Sequence, residues 1–300
     1  IFDHMCRGFL SLVLALVALQ LSSALVVGVA MKTALVTGAT DGIGRHTATR
    51  LAQDGWRVLV HGRNPARIDE AVKHIKNQAP DAEVESFRAD FASLEDVRKL
   101  GTEVLAKHPT LDLLINNAGV YEESLTKTKD DHELTFQVNV LAPFLLTSLL
   151  LPAVAASDYA RIIIVSSLSQ SSRLDWDDLE MQKEFSSHGS YSTSKLCNAM
   201  HAVELASRLK TAGSHVTCNT LDPGTVNTKM LLAGWGACGI PVKSANYQHY
   251  LATSPEVQGK SGLYFVSNRE TRPSSPCQDA AQRERLWNIL KEATAAVYTF

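Results

Sequence analysis

One stretch constrains the folding of this chain more than any other: Lys32-Thr-Ala-Leu-Val-Thr-Gly-Ala-Thr-Asp-Gly-Ile-Gly44, followed by a helix-like run from Arg45 to Gln53. Ala34, Leu35 and Val36 form the short apolar run that a parallel strand buried on both faces requires. The chain must then turn sharply into a helix beginning near Ile43. Gly38, Gly42 and Gly44 permit that turn and let bare backbone approach a pyrophosphate, which would rest on the N–H groups and positive dipole end of the helix. Strand, glycine turn and helix in this order predict a dinucleotide site. Alone, the turn also suits a Rossmann-like protein that binds another nucleotide, such as a methyltransferase. The same letter pattern recurs in Gly234-Trp-Gly-Ala-Cys-Gly239, but no strand precedes it and Pro241 follows, so residues 234 to 239 read as a flexible loop.

From Met31 onward, strand-like and helix-like segments alternate with no repeat and no low-complexity linker, which predicts one doubly wound, Rossmann-type α/β domain over residues 31–300. A mainly parallel sheet of seven strands is expected, near Thr33–Thr37, Arg57–His61, Glu83–Arg88, Leu111–Asn116, Arg161–Ser166, Val216–Leu221 and Gly262–Phe265. Helices are expected over Ile43–Gln53, Ala66–Lys76, Leu94–Lys107, Glu133–Leu150, Tyr191–Lys210 and Gln282–Ala295, with Pro143 kinking the fourth. Right-handed crossovers place the carboxyl ends of the parallel strands on one edge, where ligands bind.

Composition narrows the partners. With 29 basic against 31 acidic residues and a formal charge of −2, the chain has no electrostatic footprint for nucleic acid. Cys6, Cys197, Cys218, Cys238 and Cys277 are dispersed, odd in number and without C-x-x-C spacing, so neither a disulfide framework nor a metal site is indicated. Residues 1–30 stand apart as a hydrophobic N-terminal segment. Arg7, the apolar run Phe9–Leu19 and the small residues Ser22, Ser23 and Ala24 fit a signal peptide, while the span to Ala30 is long enough to cross a bilayer. Membrane association through residues 9–30, at the endoplasmic reticulum or an organelle, is the expectation; a chain starting at Met31 would be cytoplasmic.

Several residues at the expected sheet edge carry chemistry. The second strand ends in His61-Gly-Arg63-Asn64, where a dinucleotide fold meets the adenosine ribose. An acidic residue there would accept from a free 2′-hydroxyl; a 2′-phosphate suits His61 and Arg63 better. Asp90-Phe91 follow the third strand, beside the expected adenine position, and Asn116-Asn117-Ala118-Gly119 end the fourth. Tyr191 and Lys195 share a helical face at i, i+4 spacing, and an adjacent ammonium is expected to lower a phenol's pKa from about 10 by stabilising phenolate. The strand Arg161–Val165 ends in Ser166-Ser167-Leu-Ser169, which puts a hydroxyl on the same edge.

Together these elements resemble the short-chain dehydrogenase/reductase family over nearly all of the chain from Lys32 to about Ala295. Its glycine motif matches Thr37–Gly44, its N-N-A-G Asn116–Gly119, its Y-x-x-x-K Tyr191–Lys195, its helix asparagine Asn139, and its P-G-x-V-x-T Pro223–Thr228. The retinol-dehydrogenase-like branch is the nearer resemblance, through Asp175-Trp-Asp-Asp-Leu179 in the long segment before Tyr191 and through Arg285-Leu-Trp-Asn288.

The resemblance implies hydride transfer between NADP(H) and the carbonyl or alcohol of an apolar small molecule, retinoid, sterol or lipid-like. It implies Tyr191 as acid/base, Lys195 tuning it and binding ribose hydroxyls, Ser167 holding the substrate oxygen, and Asn139 ordering a water in the proton path. Ser166 and Ser169 are the alternatives to Ser167. Coenzyme contacts are implied for Gly38, Thr40, Asp41, Gly42, Ile43 and Gly44 of the turn, for Arg63, Asn64, Asp90 and Phe91 on the adenosine side, and for Asn117, Ala118 and Gly119. Tyr191, Lys195, Pro223, Gly224, Val226 and Thr228 complete the set, with Thr228 at the nicotinamide carboxamide. Arg63 favours NADP(H), Asp41 opposes it, and NAD(H) and a homodimer both remain open. The segment Met230–Ile240 is apolar and glycine-punctuated, as a mobile lid over an apolar substrate would be. A catalytically silent NADP(H)-sensing module is the competing reading.

Overall fold

The computed structural model describes residues 31–300, and the N-terminal segment 1–30 lies outside the described residues. The expected strand forms as β1 (Thr33–Val36), with all four residues buried. Period-two alternation assigns its side chains to opposite layers: Ala34 and Val36 join one core cluster, Leu35 the other. Such a strand needs helices on both faces, which the crossovers supply.

In chain order follow α1 (Gly42–Gln53), β2 (Arg57–Gly62), α2 (Pro65–Gln78), β3 (Val84–Arg88), α3 (Leu94–Lys107) and β4 (Leu113–Asn116). A helix over Leu134–Ala155, α4, leads to β5 (Arg161–Val165), then α5 (Ser187–Thr211), β6 (Thr217–Asp222), α6 (Lys229–Gly234) and α7 (Tyr247–Thr253). The chain closes with β7 (Tyr264–Val266), β8 (Arg269–Thr271), α8 (Ser275–Gln278) and α9 (Ala280–Thr294). The sheet order is β3-β2-β1-β4-β5-β6-β7-β8. Strand order reverses between β1 and β4, and that switch point opens the crevice in which the site lies.

The sheet has eight strands rather than seven. β8 pairs antiparallel with β7 through a turn in which Ser267 and Asn268 both have positive φ, 50° and 63°. That is the mirror-image hairpin geometry, and Ser-Asn announces it less clearly than Asn-Gly would. β8 is exposed and carries Arg269 and Glu270, so the edge is short and charged.

Pro143 does not end the helix. It has no N–H for the i−4 carbonyl, and ahead of it residues Gln137–Leu141 widen into a π turn in which the Ala142 N–H bonds to the Gln137 carbonyl. The helix then runs through Pro152 to Ala155, farther than the expected end at Leu150. Although α4 is long and apolar enough to cross a bilayer, it is largely buried as a core helix against α3 and α5.

The two segments that marked the retinol-dehydrogenase-like branch meet in space. The Arg285 guanidinium lies over the Trp176 ring, 4.5 Å from its centroid. Glu180, beyond the Asp175–Leu179 stretch, binds His132 Nδ1 at 2.8 Å and the Glu133 N–H at 2.7 Å, pinning the insertion to the start of α4. Cys197, Cys218 and Cys277 are buried free thiols, and Cys238 is exposed.

Candidate active site

The glycine turn is locked from below by Thr37 and Asn117. Thr37 Oγ1 donates to the Ile115 carbonyl and accepts from the Asn117 and Ala118 N–H groups at 2.9 and 3.0 Å. Asn117 Nδ2 donates to the Thr37 carbonyl at 2.8 Å, and its Oδ1 accepts from Gln248, which Thr47 holds in turn. Asn117 therefore braces the turn between β1 and β4. Gly38 has φ +64°, and a Cβ there would lie 2.8 Å from Ala118 Cα. A Cβ on Gly44 would lie 2.4 Å from both Asn117 Nδ2 and the Gly38 carbonyl. Close packing thus requires both glycines.

Asp41 caps α1 by accepting from the Gly42 N–H at 2.8 Å. Its charge is offset within the site: Lys229 Nζ lies 2.6 Å and Arg45 3.6 Å from the carboxylate. Partial burial pushes its pKa up, but the Lys229 and Gly42 hydrogen bonds and the two cations outweigh it and hold the carboxyl below its usual value.

At the end of the cavity beside β2, Arg63 is exposed just beyond the strand and Arg67 stands one turn along α2; both line the same cavity as the glycine turn, of about 320 Å³. Arg67 was not anticipated. Asn64 caps α2, accepting from the Arg67 N–H at 3.1 Å. His61 does not face the ribose as a cation. Only 3% exposed, its Nδ1 accepts from the Gly38 N–H and its Nε2 donates to the Ala89 carbonyl, while its ring stacks on Phe91 at 4.4 Å. Burial pulls its pKa down to about 4 against the Ala89 hydrogen bond and the Asp90 charge, so it is neutral at physiological pH. Its possession of two backbone partners explains why a histidine ends this strand. Asp90 lines the cavity and accepts from the Ala92 N–H. Gly62, also unanticipated, admits Thr40, whose Cγ2 lies 2.4 Å from where a Cβ would stand.

The other end of the cavity gathers Tyr191, Lys195, Ser166 and Pro223, with Thr40, Ile43, Ala118 and Gly119 along its walls. Ser186 caps α5, which begins one turn before Tyr191. Ser166 Oγ donates to the Lys195 carbonyl at 2.6 Å and is buried, which fixes α5 to β5, whereas Ser169 is exposed. Ser167 is half-buried on this edge, its Oγ accepts from the Ser169 N–H at 3.1 Å, and its hydroxyl lies near enough to the Tyr191 phenol to lower that group's pKa.

Lys195 does not depress the phenol. Burial raises the Tyr191 pKa to about 12, the Ser167 hydrogen bond draws it down in part, and Asp222 raises it. Lys195 Nζ lies 5.4 Å from the ring centroid and donates to the Val165 carbonyl at 3.3 Å. Burial lowers its own pKa to about 8, with Asp222 opposing. The i, i+4 spacing placed both groups correctly, but spacing carries no information about dehydration.

Asn139 serves as a clamp. Its Oδ1 accepts from the Val120 N–H at 2.8 Å, and its Nδ2 donates to the Val120 carbonyl and to Ser194 Oγ, both at 3.0 Å. These bonds tie the start of the helix core to the Val120 backbone and to α5. Sequence reasoning missed Asp222, 6% exposed, which accepts from the Leu168 N–H at 2.7 Å and the Gly224 N–H at 2.9 Å and so ties the Ser167 turn to the Pro223–Gly224 turn. Gly224 has φ +83°. Val226 is buried and bridges to Ile240, while Thr228 caps α6 and packs its methyl where a Cβ on Gly42 would come within 3.1 Å. The second glycine-rich pattern is a loop, as expected, cinched by Asn227 to Gly239.

Residues 32–234 match the family model for short chain dehydrogenase. The chain belongs to the short-chain dehydrogenase family. It is therefore an oxidoreductase of that family, with a Rossmann-type fold and the retinol-dehydrogenase-like character of its relatives. Retinol dehydrogenase 14 of Mus musculus is 38% identical over 283 residues, covering 86% of this chain and 84% of the relative. Polyprenol dehydrogenase of Homo sapiens is 34% identical, with 89% and 86% covered. Among solved structures, an uncharacterized protein from Mycobacterium Paratuberculosis superposes with a TM-score of 0.75 at 26% identity, covering 90% of this chain and 95% of that one. A short chain dehydrogenase from Escherichia coli CFT073 complexed with NADPH shares the fold at a TM-score of 0.64 and 24% identity, over 78% and 95% of the two chains.

Proposed function

We propose that this enzyme transfers a hydride between NADP(H) and the carbonyl or alcohol carbon of an apolar small molecule, with Tyr191 as the acid/base. The observation that carries the reading is one cavity with a glycine cradle and two arginines at one end and Tyr191 and Lys195 at the other. Relatives named for retinol and polyprenol, both apolar alcohols, support the substrate class. The residues fit the coenzyme: Gly38, Gly42 and Gly44 line the cavity at the start of α1, where a pyrophosphate would lie, and Arg63 and Arg67 suit a 2′-phosphate. No carboxylate opposes that phosphate from the end of β2, and Asp41 is neutralised by Lys229 and Arg45. A bound nicotinamide supplies the hydride.

The chain's residues manage the oxygen and the proton. Ser167 donates to or accepts from the substrate oxygen, and Tyr191 delivers its proton as negative charge grows there. A phenol whose pKa burial raises to about 12 is protonated at neutral pH and can give its proton to the oxygen. Lys195, ammonium at neutral pH, faces the ribose side and compensates the charge that a deprotonated Tyr191 would carry. Asp222 and Asn139 position the turns that carry these groups. Residues 1–30 are read as a targeting or anchoring segment and 31–300 as the catalytic domain. A silent binding module has no observation in its favour, since Tyr191 and Lys195 both stand in the cavity. Coenzyme absorbance, followed against retinoids, sterols, fatty aldehydes and quinones, tests the proposal; NADPH consumption with an apolar carbonyl is expected, and no turnover with any of them would overturn it.

A further inference from the structure

Glu133 is a buried carboxylate for which the hydride-transfer chemistry has no direct use. It has 0% of its surface exposed and, among the described residues, makes no ion pair. Three donors hold it instead: the Thr135 N–H at 2.8 Å, the Phe136 N–H at 2.7 Å and Ser190 Oγ at 2.9 Å. The first two form an ordinary N-cap of α4. An exposed serine or aspartate would cap the helix as well, and a carboxylate out of water is costly unless its lone pairs are filled. The third bond is what the longer glutamate adds, and it crosses to another helix.

Ser190 is 4% exposed and directly precedes Tyr191 in α5. On the other side of Tyr191, Ser194 Oγ donates to the Tyr191 carbonyl at 2.7 Å and accepts from Asn139 Nδ2 at 3.0 Å. Two side-chain rungs, Glu133–Ser190 and Asn139–Ser194, therefore join α4 to α5 and bracket the turn that carries the phenol. The α4 side of each rung is itself fixed. The Glu133 N–H donates to Glu180 at 2.7 Å, and Asn139 bonds both the N–H and the carbonyl of Val120.

We propose that Glu133 is a positioning residue for the reaction: through Ser190 it sets the first turn of α5, and hence where the Tyr191 phenol stands against the reacting oxygen. Neither Glu133 nor Ser190 lines the cavity, so both act through Tyr191 rather than on coenzyme or substrate. Misplacing a reacting group by about 1 Å lowers turnover by about 10²-fold, so a loosened first turn costs rate and leaves coenzyme binding intact. The proposal rests on the reading of Tyr191 as the acid/base.

The test is a double-mutant cycle in the full chain in detergent, with decanal and NADPH as the probes. Ser190→Ala removes the hydroxyl and leaves the cap of α4 in place. Glu133→Asp keeps a charged cap, since aspartate is itself a preferred N-cap, but is one methylene shorter and withdraws from Ser190. Each single variant is expected to lose kcat about ten- to a hundredfold with the Kd for NADPH unchanged, and the double variant to be no slower than the slower single. A parental kcat in Ser190→Ala, a change confined to KM, or losses that multiply in the double variant would each overturn the proposal. Ser190→Ala, the milder change, carries this test by itself where Glu133→Asp does not fold. A second readout does not need turnover. In protein labelled with 3-fluorotyrosine, with Tyr191→Phe identifying the resonance, the Tyr191 fluorine is expected to move in Glu133→Asp and to be indifferent to that change once Ser190 is replaced by alanine. A resonance that stays in place, or moves equally in both backgrounds, would overturn the proposal. The expected dependence in a parent without turnover would retain the positioning role and refute the hydride-transfer reading.

Discussion

Lys195→Met should make the protein more stable and less active, and the stability gain should disappear at high pH. Lys195 is 4% exposed, and burial lowers its pKa from 10.5 to about 8. At about 1.4 kcal/mol for each pH unit, keeping that ammonium in the fold costs on the order of 3 kcal/mol. Methionine has similar length and no charge, and it orphans no acceptor, because the Val165 carbonyl also receives Asn198 Nδ2 at 3.2 Å. Asp222 keeps both of its backbone donors. A gain of about 1 to 3 kcal/mol at pH 7 is therefore expected, with Tm rising about 2 to 4 °C for each kcal/mol. The folded-state pKa lies below the unfolded one, so below pH 8 both states are charged and the parent bears the whole cost. Between about pH 8 and 10.5 the folded parent sheds the proton first and regains stability, and the gap to the variant closes. Thermal melting of both proteins by circular dichroism, from pH 7 to 11, measures this. A variant no more stable at pH 7, or a gap that does not change with pH, would refute the reasoning.

Arg63→Ala should weaken NADPH binding about ten- to a hundredfold and leave NADH binding nearly unchanged, as titrated by coenzyme fluorescence; Arg67 one turn away sets the residual preference. Gly44→Ala should lose coenzyme affinity and about 1 to 3 kcal/mol of stability in urea denaturation, because its Cβ would meet Asn117 and the Gly38 carbonyl at 2.4 Å; wild-type behaviour would show the turn to be looser than described. Protein begun at Met31 should fold and bind coenzyme, since β1 starts at Thr33, and an insoluble product would show that residues 1–30 complete the domain.

Much of this site was legible because its chemistry depends on local patterns. The glycine turn, the Tyr191–Lys195 spacing and the apolar runs of β1, β4 and β5 each report a backbone requirement that a few adjacent residues express. Features made by distant residues were not legible. His61 reads as a cation at a strand end until Gly38 and Ala89 close on its two nitrogens. Asp222 sits directly before Pro223, yet its significance comes from Leu168, brought near by the pairing of β5 with β6. The raised pKa of Tyr191 has the same origin, burial by elements far along the chain, which the spacing to Lys195 does not express. Lys229, which neutralises Asp41, lies 188 positions away from it in the sequence and no periodicity relates the two.

The central claim is that Tyr191 protonates an apolar carbonyl oxygen as hydride arrives from NADPH. Its most direct measurement is the mass of the alcohol formed from an apolar aldehyde with NADPH carrying deuterium at both C4 positions of the nicotinamide, for the parent and for Tyr191→Phe. The account predicts one deuterium on the carbinol carbon with the parent, and a rate lower by about 10² to 10⁴ in a variant that still folds and binds coenzyme. Product without deuterium, or a variant that turns over at the parental rate, would contradict it.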